Sequence, residues 1–276
     1  MYGTNKTASA ASLRTYTSAD LFAGLGAFRL ASENTGRFKT VFSCEKDRFA
    51  QKTYAANFGD VPAGDLLQVD LSSVPRCDVV FGGPPCQDFS VMGKRAGLAG
   101  SRGALTKAFV KFLQVQNPLA FMMENVKGLL SSNKGKDFKK VTRNLSRCGY
   151  DVFAKVCDAA EFGVAQHRDR LLLVGLRKDL KATFVFPEGC GRTATFGSVL
   201  ETNVPAKYFL SPKYLESLTE RTERNAKKGN GFGMAVPDLN GVANTLTVGG
   251  RAAQHFFCKN FQAIPSGWKS QSFRLR

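Results

Sequence analysis

Cys86 stands in the run Gly82-Gly83-Pro84-Pro85-Cys86-Gln87-Asp88-Phe89-Ser90, directly after the apolar residues Val79-Val80-Phe81. The apolar run reads as a buried strand, and the paired glycines and prolines force an abrupt exit from it. The thiol is therefore presented at the carboxyl end of a strand, where an open α/β sheet places its chemistry. A buried, inert thiol is the alternative for any one cysteine. The two prolines argue against it, because they make a rigid platform that a packing residue does not need.

Three other groups belong beside it. Phe22-Ala23-Gly24-Leu25-Gly26 forms a strand-to-helix turn, with the carboxylate of Glu45 about twenty residues beyond the first glycine. Glycines let a backbone approach a nucleotide, and a carboxylate accepts hydrogen bonds from ribose hydroxyls. Arg29 occupies the place of the third glycine in a dinucleotide fingerprint. A nucleoside cofactor without a pyrophosphate, such as S-adenosylmethionine, thus fits better than NAD, and Phe22 can stack on its adenine. Glu124 follows the apolar run Leu119 to Met123, and Arg168 and Arg170 lie in Gln166-His167-Arg168-Asp169-Arg170. Singly, Glu124 reads equally as a helix cap, and the arginines as phosphate clamps or edge charges.

Together these groups can do more. A thiolate adds to C6 of a pyrimidine if N3 is protonated or hydrogen-bonded at the same time, and a carboxylic acid supplies that bond. Addition turns C5 into a nucleophilic carbon able to attack a methyl sulfonium. Loss of the C5 proton then expels the cysteine, while nearby guanidiniums favour the thiolate.

These side chains must converge on one sheet edge. Up to about Arg177, short apolar runs alternate with helical patterns, which predicts a doubly wound, mostly parallel α/β sheet of Rossmann-like type. Strands are expected to end near Phe22, at Thr40 to Cys44, near Asp65, before Cys86 and at Leu119 to Met123. Two more are expected near Val152 to Val156 and Leu171 to Leu176, as an antiparallel pair at the sheet edge. Helices are predicted over Ala27 to Asn34, Asp47 to Asn57, Leu105 to Gln116 and Gly135 to Cys148. From about Pro187 the periodicity fades, and Gly, Thr, Asn and Lys dominate. The expected organisation is a disordered tail over 1–14 and a catalytic and cofactor-binding domain over 15–186. A smaller, loop-rich recognition region over 187–253 and an atypical tail over 254–276 follow.

The 276 residues carry a formal charge of +17, which points to a polyanionic partner. No apolar run approaches the ~18 residues of a membrane-spanning helix, and nucleic acid is the expected polyanion. The 7 cysteines are scattered without a C-x-x-C pair, and there are only 2 histidines, so no metal site is expected. Free thiols and no apolar leader predict a cytoplasmic setting.

The motifs together resemble the DNA (cytosine-5) methyltransferases of restriction-modification type. Asp20-Leu21-Phe22-Ala23-Gly24-Leu25-Gly26 is similar to that family's cofactor turn, and Gly83-Pro84-Pro85-Cys86-Gln87-Asp88-Phe89-Ser90 to its nucleophile loop. Glu124-Asn125-Val126 is similar to its acid motif, and Gln166 to Arg170 to its Q-x-R-x-R. Pro85-Cys86-Gln87 resembles the DNA enzymes more than the related tRNA methyltransferases. The resemblance implies Cys86 as nucleophile, Glu124 as the N3 partner, and Arg168 and Arg170 in support. It implies S-adenosylmethionine held by Phe22, Gly24, Gly26, Glu45, Asp65, Pro85 and Leu105. It implies double-stranded DNA with a flipped cytosine, touched by Gln87, Ser90, Lys94, Arg95 and Arg102 around a closing loop. Thr245 and Arg251 are implied in the recognition region, where Asn244-Thr245-Leu246-Thr247 resembles a recurrent element. A bacterial or phage-encoded monomer without a membrane partner is the expected setting.

The family continues with an Arg-x-Leu-Thr-Pro-Arg-Glu segment and a Gly-Asn-x-Val helix, and neither pattern occurs in this sequence. The expectation is a truncated copy, one part of a split enzyme with a complementing C-terminal subunit, or a minimal enzyme. An inactive remnant that only binds DNA or cofactor is the second reading.

Overall fold

The computed structural model describes residues 14–85, 103–191, 194–201, 210–229 and 238–245. Cys86, Gln87, Ser90, Lys94, Arg95, Arg102 and Arg251, the tail 254–276 and nearly all of the segment 1–14 fall outside the described residues. The chain divides into two compact units, one of residues 1–156 and 170–186, the other of residues 157–169 and 187–276.

The first unit is built on strands β1 (Tyr16–Leu21), β2 (Phe38–Cys44), β3 (Val79–Gly82), β4 (Ala120–Val126), β5 (Tyr150–Asp158) and β6 (Asp169–Arg177). They form one six-stranded sheet in the order β2-β1-β3-β4-β6-β5. The first four run parallel, and β6 returns antiparallel to β4. Helices α1 (Ala27–Glu33), α2 (Arg48–Phe58), α3 (Gly103–Gln116) and α4 (Lys136–Arg147) connect them.

Alternation along the strands sends side chains to two buried faces, as a parallel sheet covered on both sides requires. Ala19, Leu21, Val80, Phe121 and Met123 join Phe109 and Phe112 of α3 and Val141 and Leu145 of α4 in one core. On the opposite face the Phe81 ring stacks on Phe28 of α1 at 5.7 Å and meets Phe38 edge-on at 5.6 Å. β6 can lie against β4 because Phe121 is paired with Gly175, where any Cβ would run into the Phe121 ring.

Two details depart from the sequence pattern. The element expected to end near Asp65 is not a strand: Ala63 makes an isolated parallel bridge with Cys44, and a turn then closes from Gln68 N–H to the Asp65 carbonyl. Pro62 and Gly64 flank that bridge, and neither favours a longer ladder. β4 runs past Met123 through Val126, because Glu124, Asn125 and Val126 find partners in Leu172, Leu171 and Arg170.

The second unit is described in pieces. Gln166 forms a parallel bridge with Ala243, and Phe196 and Gly197 donate their amides to the carbonyls of Gly241 and Leu239. Helix α5 (Pro212–Lys227) has Ser211 as its N-cap and Pro212 at its first position, a common helix start.

Asp20 is the anomaly of β1. It is 1% exposed, and neither carboxylate oxygen has a hydrogen-bond partner among the described residues. Burial pushes its pKa up to about 7. The amide and guanidinium of Arg29 pull it down, and Glu45 adds to the rise. The native state therefore binds a proton that the unfolded chain releases near the ordinary value of 3.8. Its contribution to stability is complete below that value and is lost as pH rises through about 7. The full difference is on the order of 4 kcal/mol. Asp20→Asn should leave stability nearly unchanged at pH 4 and exceed the parent by up to about that amount above pH 7. Denaturant unfolding of both proteins across this range measures the gap. A gap that stays constant with pH contradicts the assignment.

Candidate functional site

The carboxyl ends of the parallel strands open onto a cleft in the first unit, lined by Phe22, Cys44, Glu45, Lys46, Gly64, Asp65, Leu66, Gly83, Pro85 and Leu105. Its empty space, open mouth included, is about 490 Å³, within the span of small-ligand sites. Five of the seven sequence candidates for cofactor contact lie in this wall: Phe22, Glu45, Asp65, Pro85 and Leu105. Gly24 and Gly26 form the turn behind it.

That turn is held by Glu45. One carboxylate oxygen accepts the Gly24 amide at 2.8 Å, and the other accepts the Asp47 amide at 2.7 Å. A carboxylate oxygen has two lone pairs, so each keeps one to offer into the cleft. The backbone cooperates: Phe22 and Gly24 both have φ 56°, and Gly26 has φ 89°. At Gly26 a side chain would also strike the Phe58 ring. Gly26 therefore has to be glycine for two independent reasons.

Arg29, one turn further on, shows why the third glycine of a dinucleotide fingerprint is dispensable here. Its guanidinium bonds Glu33 at 3.1 Å, Asp60 at 2.6 Å and the Tyr54 hydroxyl at 3.2 Å, and lies over the Phe58 ring. The position clamps α1 to α2 instead of clearing space for phosphate.

Across the cleft mouth, Lys46 donates to Asp65 at 2.7 Å, and this bond is the main reason the Asp65 carboxyl sits below its usual range. Asp65 is thus an ionised acceptor at the cleft wall. Cys44 contributes only bulk, because burial pushes its thiol up to about 12.

A second group of candidates meets at the ends of β3 and β4. Glu124 pairs with Arg170 at 2.5 Å, both side chains partly exposed. A Cβ at Gly83 would lie 3.3 Å from the Glu124 carboxylate. Asn125, 1% exposed, donates to the Pro84 carbonyl at 3.4 Å. The chain therefore reaches Pro85, the residue before Cys86, pinned between the acid and the cleft.

Arg168 and Thr245 belong to the second unit. Asp158 accepts the Arg168 amide at 2.7 Å, the Ala160 amide at 3.2 Å and the His167 ring at 2.7 Å. Burial works to raise the Asp158 carboxyl, but those bonds outweigh it and hold it below its ordinary value. Thr245 donates its hydroxyl to the His167 carbonyl at 2.5 Å, so the proton expected to face DNA is spent within the chain.

Sequence reasoning gave no site role to Lys46, Asn125 or Asp158. Asn125 carried a signal, standing inside the Glu-Asn-Val motif. Asp158 carried none, since it meets the loop 160–168 only through folding.

A family profile described as C-5 cytosine-specific DNA methylase matches residues 16–268. The type II methyltransferase M.HpaII of Haemophilus parainfluenzae is 42% identical over 241 residues, covering 85% of this chain and 67% of that protein. M.SsoII of Shigella sonnei is 37% identical over 236 residues, covering 84% and 62%. The chain thus spans about three fifths to two thirds of these relatives' length. Among solved structures, the Entamoeba histolytica methyltransferase EhMeth superposes with a TM-score of 0.68 at 16% identity, covering 92% of this chain and 79% of that one. The S. pombe Dnmt2 methyltransferase gives 0.66 at 16%, covering 90% and 78%. These two likenesses speak to the fold.

Glu45→Ala should strip the Gly24 and Asp47 amides of their acceptor. Two charge-assisted bonds of this kind are worth roughly 1.5 to 3 kcal/mol each. A loss of about 3 kcal/mol, the lower bound for the pair, is expected in urea unfolding. An unchanged midpoint contradicts the role given to Glu45 in shaping the turn.

Proposed function

Because the chain belongs to the family of C-5 cytosine-specific DNA methylases, we propose that it transfers a methyl group from S-adenosylmethionine to C5 of a cytosine in DNA. One observation carries the assignment of roles: the segment leading into Cys86 passes between the Glu124 carboxylate and a cleft with the chemistry of a nucleoside site.

The residues present fit that cofactor. Glu45 keeps a free lone pair on each oxygen for the ribose hydroxyls, and Asp65 is an ionised acceptor for an exocyclic amine. Phe22, Pro85 and Leu105 offer apolar contact to a purine ring. When bound, S-adenosylmethionine supplies an electrophilic methyl carbon.

Cys86 acts as the nucleophile: its thiolate forms a bond to C6 of the flipped cytosine, and the electron pair moves to C5. Glu124 supplies the proton or hydrogen bond at N3 that makes this addition feasible. Arg170, paired with Glu124 at 2.5 Å, orients that carboxyl and adds positive charge near the nucleophile. After methylation water takes the C5 proton, the C–H electron pair re-forms the C5–C6 double bond, and Cys86 leaves C6 with its bonding pair as the thiolate it began as, while the N3 proton returns to Glu124. Arg168, its amide fixed by Asp158, supplies a further cation from the Q-x-R-x-R segment. Gln87, Ser90, Lys94, Arg95, Arg102 and Arg251 are the proposed DNA contacts, and Thr245, its proton held by the His167 carbonyl, is left to act there only as an acceptor. The excess of cations favours binding that weakens with salt.

Duplexes randomised around 5-fluorocytosine test the reading, because fluorine at C5 blocks the proton loss that frees the enzyme. With S-adenosylmethionine present, the parent protein should form a complex that survives denaturing electrophoresis. Cys86→Ser should form none, and Glu124→Gln should form it at least ~100-fold more slowly. No adduct from the folded parent on any duplex in the pool overturns the proposal.

A further inference from the structure

The charge on this molecule is not spread evenly, and its densest stretch lies on an element that the reaction does not use. Helix α4 turns Asp137, Val141 and Leu145 inward, and Phe138 packs against the core. What it shows to solvent is cationic: Lys136, Lys139, Lys140, Arg143 and Arg147 are all exposed, and so is Lys134 just before it. Lys136, Lys140, Arg143 and Arg147 stand at i, i+4, i+7 and i+11, which places them in one stripe along the helix. The helix's one acid, Asp137, is buried and takes the Ser132 hydroxyl at 2.6 Å. None of the six cations has an ion-pair partner among the described residues. Helix α5 is the contrast, since Glu216, Glu220 and Glu223 interleave with its Lys and Arg residues.

The stripe also has a direction. It begins after Lys127–Gly135, on the edge where β4 delivers Glu124. It ends beside Tyr150, whose hydroxyl reaches the Pro118 carbonyl at the opposite end of β4 at 2.9 Å. From residue 136 to 147 a helix rises about 16 Å, roughly the length over which one DNA strand presents five phosphates.

We propose that the exposed face of α4 is a sequence-independent track for the phosphate backbone of duplex DNA, separate from the residues that handle the target base. The inference rests on the reading of DNA as substrate, and on the helix for the place. An anionic bilayer is the weaker occupant, because the apolar face that insertion needs is already packed inside the first unit.

The variant Lys136→Gln/Lys140→Gln/Arg143→Gln/Arg147→Gln keeps helix-forming side chains and the buried face. Circular dichroism melting checks its fold, and calorimetric titration with S-adenosylmethionine should match the parent. Binding of a 30-bp duplex is then followed by fluorescence anisotropy from 50 to 300 mM salt. Each lost phosphate contact should reduce the slope of log affinity against log salt by about 0.9. The expected result is a slope lower by at least two, and affinity at least tenfold weaker at 100 mM salt. An unchanged slope in the folded variant overturns the proposal while leaving DNA methylation intact. A parent that binds no duplex overturns both. A variant that loses binding to phosphatidylserine vesicles, but not to DNA, assigns the stripe to membranes instead.

Discussion

The approach of β3 to β4 at their carboxyl ends is the constraint on which the site depends. Gly83 has no side chain, and the Glu124 carboxylate fills the space that one would need. Gly82 is equally confined, its missing Cβ lying 2.9 Å from the Leu21 carbonyl and 3.0 Å from the Phe109 ring. Two successive glycines thus let three strands end within contact distance. The proline pair that follows then leaves the sheet in a direction that Asn125 fixes through the Pro84 carbonyl. The cleft, the Glu124 carboxylate and the segment Gly83-Pro84-Pro85 are near one another because the backbone there is bare.

The sheet edge was legible because its signals are local. Apolar runs ending in Gly, Pro or Glu locate β1, β3 and β4, and the helices between them follow a 3.6-residue period. Phe22 and Glu45 follow the ends of β1 and β2, so element order alone brings them together, whereas Pro85 after β3 and Leu105 on α3 became cofactor candidates only through the family resemblance. Asp65 was found by motif, although its segment is a turn and not the strand that the pattern suggested.

What escaped the sequence depends on long-range pairing. The insertion of β6 between β4 and β5 places Arg170 opposite Val126 and hands Glu124 its partner. Nothing in the spacing of residues 124 and 170 announces it. Asp158 escaped for the same reason, as did the bond that engages the Thr245 hydroxyl with a carbonyl 78 positions away. In the second unit the bridge between Gln166 and Ala243 and the Thr245 bond join the Q-x-R-x-R segment to the recognition segment. Two stretches that seemed to serve catalysis and sequence readout separately are parts of one small structure.

Phe121 and Gly175 carry a different consequence. The ring occupies the volume that any side chain at 175 would claim, and the same ring meets Phe109 and Tyr150 edge-on. Neither residue can drift alone: enlarging 175 first collides with the ring, and shrinking 121 first opens a hole between its two aromatic neighbours, Phe109 and Tyr150. Exchange at this pair must pass through a handicapped intermediate, so the two positions are expected to be inherited together. The join between the parallel and antiparallel parts of the sheet is thus a place where the lineage of this chain is held still by epistasis.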